Sequence, residues 1–385
     1  MRILFLLSLM PFLFSCKSKP AKEEVAPLSW SGQMQGMAGD VKTLLPYLYD
    51  SRAFNDPKNR DTIKKALRDF SKSAHRIDPD SGKSFIGDPL LLEYSISSLQ
   101  DELSRAAQSF EVGQLEYSRS VAKTSLSTCF RCHSVTNAGG SAPWDLDQVH
   151  NLTLAPLEKA DLLVAARKYE KALVYMESQL NSPEFYTSYG VDFEALLRRY
   201  LALLIRVEKD PQRALNALNK VLDRGDTPQY VLEQADGWRK SLELWRREKS
   251  PQVREPKDLF VQVEKRFARA QALQSYDKDH AGDVELLRAT TFLHDGMKIV
   301  KTPADQARAL YLLGKAYEVL DELGAWNLHE NYYESCVRRD PKSATAKRCF
   351  NRLEASLYMG YSGSAGVNLP GDERARLEKL RALVK

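Results

Sequence analysis

Apolar residues return every third or fourth position along nearly the whole chain. Ile63, Ala66, Leu67, Phe70 and Ala74 keep this spacing through one segment. Leu92, Ile96, Leu99, Leu103, Ala106 and Phe110 keep it through the next. That period is one face of an α-helix buried against a neighbour. Two of the starts are marked by Asp56-Pro57 and Asp88-Pro89, an N-cap carboxylate followed by proline at the first helical position. The pattern predicts four helices, over residues 33–49, 57–75, 89–112 and 115–133, with Gly113 ending the third and 76–87 the longest loop. The run 137–143 (NAGGSAP) then breaks the pattern. Four helices on short connections predict an up-down-up-down bundle.

From residue 157 the chain reads as helical again, in pairs recurring every ~34–45 residues. Ala160, Leu163, Ala172 and Met176 set one register; Ala202, Ile205, Ala214 and Leu218 set another. Residues 309–317 (ALYLLGKAY), then Tyr333 and Pro341, give the clearest unit, although its inter-helix loop around Gly324, Ala325 and Trp326 is long. This stretch resembles tetratricopeptide repeats, with small residues where paired helices touch and aromatics filling the gaps. The resemblance implies an α-solenoid. Residues 227–248 and 256–275 read as helices without the repeat signature. The expected fold class is therefore all-α, a four-helix bundle over 31–136, a linker over 137–156 and a helical repeat array over 157–385.

Composition agrees with helix: the chain of 385 residues has only 19 Gly and 17 Pro. Its length argues for more than one domain. The net charge of +5 is spread among mixed signs, with no basic stripe, so no nucleic-acid partner is expected.

The N-terminus changes the picture more. Arg2 precedes a short apolar run, residues 3–14, interrupted by Pro11 and too short for a retained membrane span. Leu13-Phe14-Ser15-Cys16 follows and resembles a bacterial lipobox, although Phe14 is bulkier than usual there. The alternative is an ordinary secretory signal with an incidental Cys. The lipobox reading makes residues 1–15 a signal peptide and Cys16 a lipidation site. Residues 16–30 then become a polar tether, and the protein is anchored by lipid on the periplasmic side of a membrane. Lys17 after Cys16 resembles the sorting pattern that favours the outer membrane.

In such an oxidising compartment the four other cysteines need explanations. Cys129-Phe130-Arg131-Cys132-His133 is C-x-x-C-H. Two thiols at this spacing add across the two porphyrin vinyls, and the next residue presents its imidazole to the iron. The alternatives are a redox dithiol, which would open a helix rather than close one, and half of a zinc site, which lacks a second pair. One covalent haem c is therefore expected, with Cys129 and Cys132 as attachment sites and His133 as proximal ligand. In an antiparallel bundle the end of the fourth helix lies beside the start of the first, the end of the second and the start of the third. His75, Met37 and Met34 stand at those places as candidate distal ligands, and His150 lies beyond the motif. Each has a plainer reading, the methionines as core filler and His75 as a helix-terminal surface residue. Lys123 and Arg131 are candidates for the propionates. Tyr94, Phe110 and Tyr117 have spacing compatible with lining the haem, with core packing the plainer reading.

Residues 33–135 resemble the class II c-type cytochromes, the cytochrome c′ group, which are four-helix bundles with C-x-x-C-H near the end of the last helix. In six-coordinate members a Met near the start of the first helix ligates the iron, a place matched by Met34 or Met37. In five-coordinate members the iron takes small gases. His75 has no counterpart there. The resemblance covers about a quarter of the chain.

Cys336 and Cys349 flank the turn at Pro341 between predicted antiparallel helices and are expected to pair as a disulfide, against two separate buried thiols. His280, His294 and His329 have no partners at ligand spacing and read as structural or surface residues. The expected function is non-enzymatic electron transfer, with a redox partner protein and a protein partner docked on the repeats. The alternatives are a gas binder or sensor, and a scaffold lipoprotein with an accessory haem.

Overall fold

The computed structural model describes residues 29–83, 87–135, 154–320, 327–364 and 366–385. Cys16, the expected signal and the expected tether up to residue 28, most of the expected linker, His150 and the 324–326 loop lie outside the described residues.

The fold is all-α. Six α-helices make the N-terminal part: α1 (Trp30–Leu48), α2 (Ser51–Asn55), α3 (Arg60–His75), α4 (Pro79–Gly82), α5 (Pro89–Glu111) and α6 (Leu115–His133). The short α2 and α4 fall outside the periodicity-based expectation, because four or five residues cannot display a helical repeat. Their starts are nevertheless capped by Asp50 and Asp78. The second predicted helix begins as a 3-10 turn at Pro57–Asn59. Among the long helices α1 packs on α3, α3 on α5 and α5 on α6. α6 then packs far more extensively on α7 (Pro156–Ala165) than on α1.

The rest is a chain of helices that mostly pack on their sequence neighbours: α8 (Tyr169–Leu180), α9 (Pro183–Leu203), α10 (Pro211–Leu222), α11 (Gln229–Arg247), α12 (Pro256–Leu273), α13 (Asp283–Gly296), α14 (Pro303–Tyr317), α15 (Leu328–Arg339), α16 (Ala344–Gly360) and α17 (Gly371–Val384). Among the described residues the only strands form a two-residue hairpin, Ser362–Gly363 with Gly366–Val367. The cap-then-proline device recurs at Ser182, Asp210 and Thr302, whose side chains accept from the first free backbone N–H groups. α9 runs on as a π-helical turn, Leu204–Glu208, closed by Lys209 in the left-handed region at φ 54°. Gly314 in α14 receives the buried Tyr333 ring of α15, where a Cβ would stand 2.4 Å from a ring carbon. Cys336 of α15 and Cys349 of α16 form a disulfide, with Cα atoms 6.3 Å apart.

The two parts share one continuous core. α5 reaches α15, and the hinge between them is a buried polar network. Asp88 is fully buried. Its Oδ1 accepts from the Leu90 and Leu91 N–H groups at 3.0 and 3.3 Å and so caps α5. Its Oδ2 meets His294 Nδ1 of α13 at 3.0 Å and accepts from the Tyr332 hydroxyl of α15 at 2.5 Å. His294 Nε2 lies 2.9 Å from the Tyr317 hydroxyl, which is also 3.2 Å from Arg206 Nη2. His294 is thus a buried member of a network, more specific than the structural or surface role its spacing implied. Spacing along the chain says nothing about residues 206 positions apart.

Candidate functional site

α6 carries a stripe of small residues toward α5: Ser118, Ala122 and Ser125 are all buried. The Ser118 hydroxyl donates to the Ala106 carbonyl of α5 at 2.7 Å, so the two helices lie close. Continued toward the C-terminus, the same face brings up Cys129 and then Cys132, one turn apart on a shared side. Ser95 of α5 stands beside Cys132, and the Thr128 hydroxyl donates to Glu102 of α5 at 3.3 Å. Both thiols are free and half-buried.

His133, the last residue of α6, turns to the other side. Its carbonyl accepts from the Tyr169 hydroxyl of α8 at 2.8 Å. Its ring approaches the Val164 and Ala165 carbonyls at the end of α7, while Nδ1 is buried with no hydrogen-bond partner. Burial, and then the Arg167 charge, push the imidazole down to about 3, so it stays neutral. A neutral imidazole near backbone carbonyls, with a buried nitrogen uncommitted, meets what a metal-ligating histidine requires. Two free thiols one turn apart and a neutral imidazole are the donor types that a covalently attached haem uses, with the thiols here toward α5 and His133 toward α7.

The alternatives fare worse. Burial pushes the Cys129 thiol up to about 12 and raises Cys132 as well. A redox dithiol needs the opposite shift, and the negative end of a helix opposes a thiolate. Among the described residues no three His, Cys, Asp or Glu side chains converge as a zinc site demands.

The candidate distal ligands separate. Gln33 Oε1 accepts from the Asp78 N–H at 2.9 Å, and Gly82 lies against the Trp30 ring and Leu92. The start of α1, the end of α3, the start of α5 and the end of α6 therefore gather at one end. Met37 is buried there, and Met34 packs on the same core. His75 is exposed, with Nδ1 2.8 Å from the Ser71 carbonyl of its own helix.

Among the aromatic candidates Tyr117 is exposed and Phe110 packs edge-on against Phe54. Tyr94 lies beneath the Arg131 guanidinium, 4.8 Å from the ring centre. Lys123 pairs with Glu158 of α7 and sits 5.2 Å over the Tyr49 ring, at the edge of a cavity of about 330 Å³ between α6 and α7.

The chain matches no protein-family model, no curated protein and no solved structure. Sequence reasoning missed the Asp88 network and the α7–α8 cover over His133. The only local signal for the first was an aspartate already accounted for as a cap.

Proposed function

We propose that this chain is an exported mono-haem c-type cytochrome that transfers electrons, attached to its haem through Cys129 and Cys132 and ligated by His133. The observation that carries this reading is the C-x-x-C-H run at the end of α6, with both thiols free and the His133 Nδ1 buried and uncommitted. The bound haem would supply one-electron exchange at a potential set by its axial ligands. The chain's own residues hold and shield it: α5 backs the thiols, while α7 and α8 cover His133 and exclude water.

In this reading α1, α3, α5 and α6 are a bundle of the class II type and the later helices a tetratricopeptide-like array that docks a protein partner. Cys16 anchors the protein on the periplasmic side of a membrane. The exposure of His75 favours Met34 or Met37 as sixth ligand, since those two face inward. A second reading is gas binding at an open position, in which the buried Met37 is an apolar neighbour of the iron rather than its ligand.

Expression in a periplasm that attaches haem covalently tests both. A haem-stained band on a denaturing gel is expected, lost in Cys129→Ala/Cys132→Ala; absence of the band in the native chain refutes the reading. A reduced spectrum indifferent to carbon monoxide supports six-coordinate electron transfer, and a shifted one supports the gas reading. Partners recovered equally by the double variant would instead point to a scaffold in which the haem is accessory.

A further inference from the structure

Far along the chain from the haem motif, α11, α12 and α13 enclose charge that the fold leaves unbalanced. Glu248, just beyond α11, is shared by four cations. Its carboxylate lies 2.6 Å from Arg288, 3.4 Å from Lys265 and 3.5 Å from Arg266, and it also pairs with Arg269. Glu285, fully buried, adds a second carboxylate 3.3 Å from Arg288. Arg266 is only 1% exposed. Its Nη1 donates to the Gln262 carbonyl and side chain at 2.8 and 3.0 Å, but its Nε–H is buried with no acceptor. A buried guanidinium with an unmet donor is costly, and hydrophobic side chains of like volume would serve stability better. Burial and the like charge of Arg288 pull Arg266 down to about 10, against the opposing charges of Glu248 and Glu285.

Arg266 also lines a cavity. About 250 Å³ opens here, walled by Arg266, Arg288, Lys209 and Lys249 against only Glu248 and Asp295. Lys209 and Asp295 pair loosely at 3.7 Å and are both exposed, and behind them Arg266 and Arg288 meet Glu248 and Glu285. Trp245 and Phe292 form apolar walls, each carrying a guanidinium on its face, Arg288 at 4.8 Å and Arg266 at 4.4 Å. The π-helical turn Leu204–Glu208 borders the same cavity through Ile205. Such turns are rare and occur frequently at functional sites.

We propose that this cavity binds a small organic carboxylate, its anionic end drawn by Arg266 and Lys249 and its apolar body held against the edges of Trp245 and Phe292. The planar fork of arginine matches a carboxylate, and the two aromatic walls select an organic body over an inorganic ion. The volume lies just below that of drug-sized sites, so the ligand is small.

The test is titration of the full chain with benzoate, followed by calorimetry and by melting temperature at fixed ionic strength, with chloride and inorganic phosphate as comparators. Saturable benzoate binding that raises the melting temperature is expected, with no comparable effect of chloride. Arg266→Met is expected to fold at least as stably and to weaken benzoate by more than about tenfold. Arg266→Lys keeps the charge but loses the fork and Nε–H, and is expected to weaken binding similarly. No saturable benzoate binding, phosphate binding in its place, or undiminished binding by either folded variant overturns the proposal.

Discussion

Replacing Asp88 with Ala should destabilise the protein far more than an ordinary helix-cap change, because one carboxylate serves two parts of the fold. The cap on Leu90 and Leu91 is worth about 1 kcal/mol. The substitution also strands His294 Nδ1 and the Tyr332 hydroxyl in a site closed to water, at about 1–3 kcal/mol each. The expected loss is therefore about 4 kcal/mol, in line with breaking other buried charged pairs and a large share of a typical stability. Asp88→Asn keeps an acceptor for the cap and should lose about half as much. Urea denaturation followed by far-UV circular dichroism gives the totals. A double-mutant cycle with His294→Ala should return a coupling of about 1–3 kcal/mol. Acid dependence supplies an independent check. Burial raises the Asp88 carboxyl, but His294, Tyr332 and the Leu91 N–H outweigh it and hold the carboxyl below its ordinary value. Its contribution is then complete above about pH 4, the unfolded value, and is lost as the pH falls through the depressed folded one. Hydrogen exchange should show protection falling in both α5 and α15 of Asp88→Ala. A loss under about 1 kcal/mol, or an α15 left fully protected, would refute the argument that this network ties the N-terminal helices to the C-terminal ones.

Gly314→Ala should cost about 1–3 kcal/mol in a thermal melt, since its Cβ would meet the buried Tyr333 ring at 2.4 Å; an unchanged melt would mean that the ring gives way freely. Cys349→Ser should lose about 3 kcal/mol by opening a loop whose ends are 13 residues apart, and a reductant should match the substitution; a reductant-insensitive melt contradicts this. Burial raises Glu248, but Arg288 and Arg269 outweigh it and hold its carboxyl at about 2. Its stabilising contribution should be complete above about pH 4.3 and fall away toward pH 2, a dependence flattened in Glu248→Gln when acid unfolding curves are compared.

Local physics made much of this protein legible in its sequence. Helices open where Asp56, Asp88 and Asp210 precede proline because capping and a fixed φ act within three residues. The spacing of Cys129, Cys132 and His133 carries the haem proposal without knowledge of any neighbour, and Cys336 and Cys349 lie close enough along the chain to meet across one turn. Tertiary structure decided what depends on partners distant in sequence. It turned His75 outward and Met37 inward, a difference helical spacing alone did not resolve. It laid α7 and α8 over His133, so the motif is bordered by helices beyond the expected bundle. It also drew Asp88 and His294 together across 206 residues and gathered Arg266, Arg288 and Glu248 around one cavity. Periodicity reports which face of a helix is buried, but burial is satisfied by any apolar neighbour. Which neighbour arrives, and which polar groups must then be paired, is fixed only when the whole chain closes on itself.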